Sequence, residues 1–237
     1  MRVIDYIKLL KDNDITALEK YVKIHDIDEE IHGQSLLYWA VFYNQLEFSK
    51  KLIEMGADVN QKDSFGRSPL SVSCFFGFID LARILLKNGA VIDFACMERA
   101  YYGWEGKIQT EILTLLSKWG WINLYVDDLR LTPPGFTIAR TMDEAISMMR
   151  NNSVHILSLD HDLGMDDRED LLPTGYDLVK YICQKGSRPA NKIYIHTDNV
   201  VGRKAMYDTL KAARKRGFID DDIKIYHYSI TENKYSG

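Results

Sequence analysis

Through the first half of the chain, apolar residues return at helical intervals in short blocks. Leu36, Leu37, Ala40 and Val41 make one stripe, and Phe48, Leu52 and Ile53 make the next. The blocks then repeat. "GQSLLYWAVFYNQLEFSKKLIEMGADVN" starts at Gly33 and "GRSPLSVSCFFGFIDLARILLKNGAVID" at Gly66. That offset of 33 residues recurs between Gly56-Ala57 and Gly89-Ala90. Each unit reads as a turn, a short helix, a second helix and a glycine-terminated exit. Ser68-Pro69 opens one of the first helices, where proline is tolerated. One unit cannot bury its stripe alone, so neighbours must stack.

From Trp121 the pattern changes to apolar runs alternating with amphipathic stretches. "INLYVDD" is a continuous apolar run ending in acid, as expected of a strand buried on both faces. "FTIART", "VHILSLD", "NKIYIHTDN" and "DDIKIYHYSI" read as further strands. Helices are expected in "TMDEAISMMRNN", "TGYDLVKYICQKG" and "VVGRKAMYDTLKAARKRG", the last stopped at Gly217. Thr141 is the expected N-cap of the first, with Glu144 completing a capping box. Strands alternating with helices imply parallel pairing through right-handed crossovers. The boundaries read from the pattern are 1–120 for the helical array and 121–237 for the α/β domain.

Composition adds exclusions. A net charge of −4 offers no global attraction for nucleic acid or anionic membrane. The three cysteines, Cys74, Cys96 and Cys183, have no CxxC spacing, against a zinc site or a disulfide framework and in keeping with a reducing cytoplasm. The opening "MRVIDYIKLLKDND" reads as a charged amphipathic helix rather than a signal peptide, and no apolar run approaches a membrane span. A soluble cytoplasmic protein is the expectation.

The 33-residue period and the "GADVN" ending resemble the ankyrin family. On that resemblance, residues 4–32 are a degenerate opening cap and 98–120 an altered closing repeat. Ser-Leu-Leu-Tyr at 35–38 departs from the family's Thr-Pro-Leu-His. The resemblance implies a helical solenoid that binds a protein partner or self-associates. Tyr38, Trp39, Phe42, Tyr43, Phe75, Phe76 and Phe78 are either that surface or inter-repeat core.

In an open parallel sheet, ligands bind beyond the carboxyl ends of the strands. Asp127 and Asp128 end the first strand of the second half, Asp160-His161-Asp162 the third, and His196-Thr197-Asp198-Asn199 the fourth. Three converging polar ends point to a site. Clustered carboxylates repel unless a cation joins them, so Asp127, Asp128 and Asp160 suggest Mg²⁺ or Mn²⁺. Asp162 is open to metal ligation, to a bond with a histidine, or to capping the loop. A leaving alkoxide needs a proton donor, and His196 and His161 are the histidines at these ends. Arg130 and Arg203 suit phosphate oxygens, with Thr197 and Asn199 as neutral partners. The acidic loop holding Asp166, Asp167 and Asp170 reads as a surface rim, and the basic residues from Lys204 to Arg216 as a solvated helix face.

This half resembles the receiver domains of two-component signalling, with Asp127, Asp128, Asp160 and Thr197 matching by position and Gly175 opening the next helix. Two features depart: "LRLTPPG" replaces the first helix, and "IKIYHYSI" lacks the Lys-Pro of the final strand. It is more similar to a receiver-derived group that processes cyclic phosphates. "VDDLR", "LSLDHDLG", "TGYDLVK" and "IHTDNVVGR" follow that group's motifs in order, apart from Val200 where a proline is expected. The resemblance spans about residues 122–228. It implies a shortened receiver-like, flavodoxin-like sheet and a metal-dependent phosphoesterase acting on a cyclic nucleotide or a 2′,3′-cyclic phosphate. In that reading Asp127, Asp128, Asp160 and Asp162 face the metal, while His196, His161 and Asp160 do chemistry. Arg130, Thr197, Asn199 and Arg203 hold the substrate. The alternatives are a receiver phosphorylated on Asp160 and a binding module without turnover.

Overall fold

The computed structural model describes residues 6–165, 172–186 and 188–230. Its contacts divide the chain into two compact units, Met1–Leu115 and Leu116–Gly237. The acidic rim expected around Asp166, Asp167 and Asp170 lies outside the described residues. Among the described residues, no helix is long and apolar enough to cross a membrane.

The first unit is a stack of helix pairs. Helices α1 (Tyr6–Asp12) and α2 (Ile15–Val22) open it, followed by a short antiparallel pair, β1 (Glu30–Ile31) and β2 (Gln34–Ser35). The complete repeats are α3 (Leu36–Phe42) with α4 (Leu46–Glu54), and α5 (Pro69–Phe76) with α6 (Ile79–Lys87). Helices α7 (Phe94–Tyr101) and α8 (Thr110–Ser117) follow. Ser35 and Ser68 cap α3 and α5, each hydroxyl accepting a backbone N–H at 3.1 Å, and Pro69 occupies the first helical turn. The apolar stripes meet across repeats, α3 on α5, α5 on α7 and α4 on α6. Leu36, Leu37, Phe48, Leu52, Leu70, Leu81 and Leu85 are fully buried between them. Side chains also tie one repeat to the next. Asn60 donates to the Gly89 carbonyl at 3.0 Å and accepts from the Val91 amide at 2.8 Å.

The aromatic set divides between the two readings made of it. Tyr38 is buried, whereas Phe42 is exposed. Phe42, Phe76 and Phe75 join Trp104 in edge-to-face and tilted contacts, with Phe42–Phe76 centroids 5.6 Å apart.

The second unit is a five-stranded, wholly parallel sheet. Its strands are β3 (Trp121–Val126), β4 (Thr137–Ala139), β5 (Ser153–Leu159), β6 (Lys192–Ile195) and β7 (Lys224–Tyr226), in the order β4-β3-β5-β6-β7. Helices α9 (Met142–Asn151), α10 (Gly175–Lys185) and α11 (Val200–Lys215) make the crossovers. Their core combines Leu124, Val126, Leu157, Leu159, Leu178, Val179, Ile193, Ile195, Met206 and Leu210. No helix separates β3 from β4, in agreement with "LRLTPPG" standing where a receiver has one. The last strand is shorter than its apolar pattern suggested, three residues rather than the ten of "DDIKIYHYSI".

One capping detail differs from expectation. The Thr141 hydroxyl accepts from the Glu144 amide at 3.2 Å, but the Glu144 carboxylate reaches the Arg140 amide, at 2.7 Å, one residue beyond the cap. The reciprocal capping box forms instead on α10, between Thr174 and Asp177.

Candidate active site

Strand register assembles the site. Val126 pairs with Leu159 and Leu159 with Ile195, so the next residues, Asp127, Asp160 and His196, stand side by side at three adjacent carboxyl ends. The ladder runs one step further to fix them: the Asp160 amide donates to the Val126 carbonyl and the His196 amide to the Leu159 carbonyl, both at 2.9 Å. All three side chains are buried. Each offers a ligand atom within 4.8 Å of the other two.

Two buried carboxylates side by side need a positive partner. Arg130 supplies it. Its Nη1 donates to Asp127 Oδ2 at 3.0 Å and to Asp160 Oδ2 at 2.5 Å, while Nη2 reaches the exposed Asp198 Oδ2 at 2.6 Å. The turn after β3 brings it there, because Asp127 Oδ1 accepts the amides of Leu129 at 2.9 Å and Arg130 at 2.6 Å. Arg140 braces that turn by donating to the Asp127 and Arg130 carbonyls, each at 2.9 Å. Burial works to raise the Asp127 pKa. The amides and guanidinium of its neighbours outweigh burial and hold the carboxyl below its ordinary value.

His196 is a different kind of histidine from His161. Its Nε2 lies 3.0 Å from Asp127 Oδ2, its Nδ1 2.8 Å from Ser158 Oγ, and its ring stacks on Tyr125 at 4.3 Å. Burial pulls its pKa below the usual histidine value, only partly offset by Asp127 and Asp160, so the ring is neutral near pH 7. An ionised Asp127 only accepts, so Nε2 carries the proton and Nδ1 accepts from the Ser158 hydroxyl. The same environment, burial first and then Asp127, pushes the Tyr125 hydroxyl up to about 12.

His161 lies past the end of β5, where the strand has become a turn. Its Nδ1 is 2.7 Å from Asp162 Oδ1 and 3.3 Å from Asn199 Nδ2. Its ring lies against Gly202 in the first turn of α11, where a Cβ would fall 2.2 Å from the ring Cδ2. Asp162 makes the bond to a histidine, one of the roles left open for it.

A cavity of about 420 Å³ opens beside these groups, lined among others by Asp127, Asp128, Arg130, Asp160, Asp162 and Thr174. The residues read from the sequence thus fall into two sets. Asp127, Asp128, Arg130, Asp160 and Asp162 face the cavity, with Asp128 packed close to Gly164. His161, His196, Thr197, Asn199 and Arg203 stand outside its wall. Thr197 is buried and its Oγ1 accepts the Asn199 amide at 3.2 Å, while Asn199 Oδ1 caps α11 through the Gly202 amide at 2.8 Å. Arg203 turns back on the Thr197 carbonyl, with its Nε at 3.0 Å. Ser158 and Arg140 are additions that the sequence reading did not single out, and Asp198, named there only within a strand-end cluster, pairs with Arg130. A hydroxyl inside the apolar run "ILSL" was the available signal for Ser158.

The donor set of two carboxylates and an imidazole suits a divalent ion, and a neutral imidazole is the form that binds one. Asp127, Asp160 and His196 would hold it; Asp128 and Asp162 line the cavity but are not part of that tight group. The guanidinium of Arg130 already lies on the same two carboxylates.

Comparison with known proteins gives each unit its relatives. A mouse protein phosphatase 1 regulatory subunit 27 is 33% identical over 89 residues, covering 36% of this chain and 58% of the relative. The human protein of that name is 32% identical over 84 residues, 34% of this chain and 54% of the relative, so the chain spans little more than half of either. A putative ankyrin repeat protein of fowlpox virus is 33% identical over 99 residues, 39% of this chain and 22% of that protein. The human ASB11 ankyrin repeat domain superposes with a TM-score of 0.42 at 20% identity, covering 49% of this chain and 54% of that one. Family models match residues 5–96 as ankyrin repeats and residues 122–212 as a cyclic-phosphate processing receiver domain. The chain therefore joins a set of ankyrin repeats to a receiver-like domain of the cyclic-phosphate-processing family.

Proposed function

We propose that the second unit is a phosphoesterase that opens a cyclic phosphate, either a cyclic nucleotide or a 2′,3′-cyclic phosphate. The observation that carries this reading is the guanidinium of Arg130, presented to the cavity beside two buried carboxylates at the carboxyl edge of a parallel sheet. Its Nη2 holds the exposed carboxylate of Asp198, an oxyanion that a phosphoryl group can replace. Ring opening needs a proton for the leaving oxygen and a base for the attacking water. We assign these proton transfers to His161, whose ring lies outside the cavity wall but is bonded to Asp162, which lines it, and buried His196 positions Asp127. Thr197, Asn199 and Arg203 hold the β6–α11 turn in shape around that pair. Mg²⁺ or Mn²⁺ held by Asp127, Asp160 and His196 would supply Lewis-acid polarisation of a phosphoryl oxygen.

The ankyrin unit is proposed to bind a protein partner or a second copy of the chain. The exposed aromatics Phe42 and Trp104 favour this, as does the likeness to proteins named as phosphatase regulatory subunits.

The test is a panel of cyclic nucleotides and 2′,3′-cyclic phosphates incubated with the full chain and Mg²⁺ or Mn²⁺, with EDTA as control. Turnover of at least one compound is expected, falling about 10²–10⁴-fold in His161→Ala. No turnover of any of them with either metal would sink the reading for those substrates. Phosphorylation on Asp160 by a small phosphodonor is the competing outcome. Both oxygens of that carboxylate are engaged, by the His161 amide at 2.6 Å and by Arg130, which weighs against it.

A further inference from the structure

The carboxylates of Asp127 and Asp160 are one cation short of a metal site, and the chain fills the gap with its own. We propose that Arg130 and a divalent cation are alternative occupants of the Asp127–Asp160–His196 cluster, so that the ion binds only once the guanidinium has withdrawn. The inference rests on reading this cluster as the phosphoester site. Its test measures ion binding rather than turnover, so the two can fail separately.

Three observations support the exchange. First, Arg130 Nη1 contacts the very oxygens an ion would take, Asp127 Oδ2 at 3.0 Å and Asp160 Oδ2 at 2.5 Å. A divalent ion added beside a fixed guanidinium in a buried setting meets strong repulsion, so both cannot stay. Second, His196 is built to follow the exchange. In the present state Nε2–H points at Asp127 Oδ2, so the nitrogen offers no lone pair to an ion. The Ser158 hydroxyl, 2.8 Å from Nδ1, both donates and accepts. Moving the ring proton from Nε2 to Nδ1 therefore keeps the bond to Ser158 and frees Nε2 to ligate. Third, Arg130 has somewhere to go. Its Nη2 is already on Asp198, whose side chain is 92% exposed, so a small outward swing keeps one ion pair while releasing two. A phosphoryl group in the cavity would draw the guanidinium the same way. Arg130 thus becomes a gate linking anion arrival to cation binding, and such coupling is reciprocal.

The experiment is a titration of the full chain with Mn²⁺ alone, read by loss of the free-ion electron paramagnetic resonance signal. The wild type is compared with Arg130→Gln and with Arg130→Gln/Asp127→Asn. Arg130→Gln is expected to bind Mn²⁺ more than about tenfold tighter than the wild type, and the double variant to lose that gain. Equal affinities in wild type and Arg130→Gln would overturn the proposal, as would absence of binding in both. Removing the guanidinium leaves two buried carboxylates facing each other, so the single variant can fail to fold without an ion. In that case the readout is its far-ultraviolet circular dichroism after refolding with Mn²⁺. Recovery of the helical signal supports the exchange, and no recovery overturns it.

Discussion

At the residue scale, the tightest constraint in the site is a glycine. The Gly175 amide donates to the His161 carbonyl at 2.8 Å, and a Cβ there would fall 1.8 Å from the Asp160 carbonyl oxygen. That contact is backbone against backbone, so no rotamer relieves it. Gly175→Ala is expected to cost about 1–3 kcal/mol or more in denaturant unfolding, by pushing α10 off the end of β5. Gly217→Ala, by contrast, replaces a glycine at positive φ that faces open space, and is expected to cost only about 1 kcal/mol. Equal losses at the two positions would contradict the packing argument. Ser158→Ala leaves the buried Nδ1 of His196 without its partner and is expected to cost about 1–3 kcal/mol, checked the same way. Sequence pattern located these groups without ranking them. Asp127, Asp160 and His196 were legible because each follows an apolar strand, and parallel register does the rest. The contrast between the two histidines was not legible. His196 continues the buried ladder of β6, whereas His161 has left its strand, and that depends on where pairing stops.

At the element scale, α10 shows how a local signal is read or missed. The S/T-x-x-E spacing drew attention to Thr141 and Glu144, yet that glutamate reaches past its cap. Asp177, one methylene shorter, closes the box on Thr174 instead, with Oδ2 2.8 Å from the Thr174 amide. Thr174→Ala is expected to destabilise the second unit by about 0.5–2 kcal/mol, measured by chemical denaturation at neutral pH. The partner carboxylate gives this a pH signature. The hydrogen bond from Lys180, followed by those from Thr174, lowers the Asp177 pKa to about 2. Because the folded value lies below the unfolded one, the stabilisation is complete above about pH 4 and drains away as pH falls through about 2. Asp177→Asn should therefore be less stable than the wild type at pH 7, with the gap closing towards pH 2. A gap that stays constant across that range would mean the charge of Asp177 contributes nothing. The shortness of β7 is the complementary miss: an apolar alternation says where a strand can run, while its length is set by how far β6 offers a partner.

At the scale of the whole molecule, the two units differ in how far apart in sequence their contacts lie. In the first, each helix packs on its own repeat or the next, so most contacts close loops of roughly one repeat. The second must bring β3 to β5 across β4 and α9, and β5 to β6 across α10, before any strand pair is made. Loop closure of that kind precedes the contacts that reward it, which slows folding. This organisation was visible in the sequence, as a 33-residue period giving way to alternating runs after Trp121. The tryptophans allow it to be tested in the intact chain, since Trp39 and Trp104 belong to the first unit and Trp119 and Trp121 to the second. Variants keeping only one pair, with phenylalanine at the other two positions, should refold from denaturant with different time courses. The Trp39/Trp104 signal is expected to recover first and the Trp119/Trp121 signal in a slower phase. Substitutions that weaken the parallel core, such as Leu157→Ala, should then slow or diminish only the later phase, because Leu157 lies fully buried within the sheet's own core. A single phase shared by both probes, altered equally by Leu157→Ala, would show instead that the sheet and the repeats fold as one cooperative body.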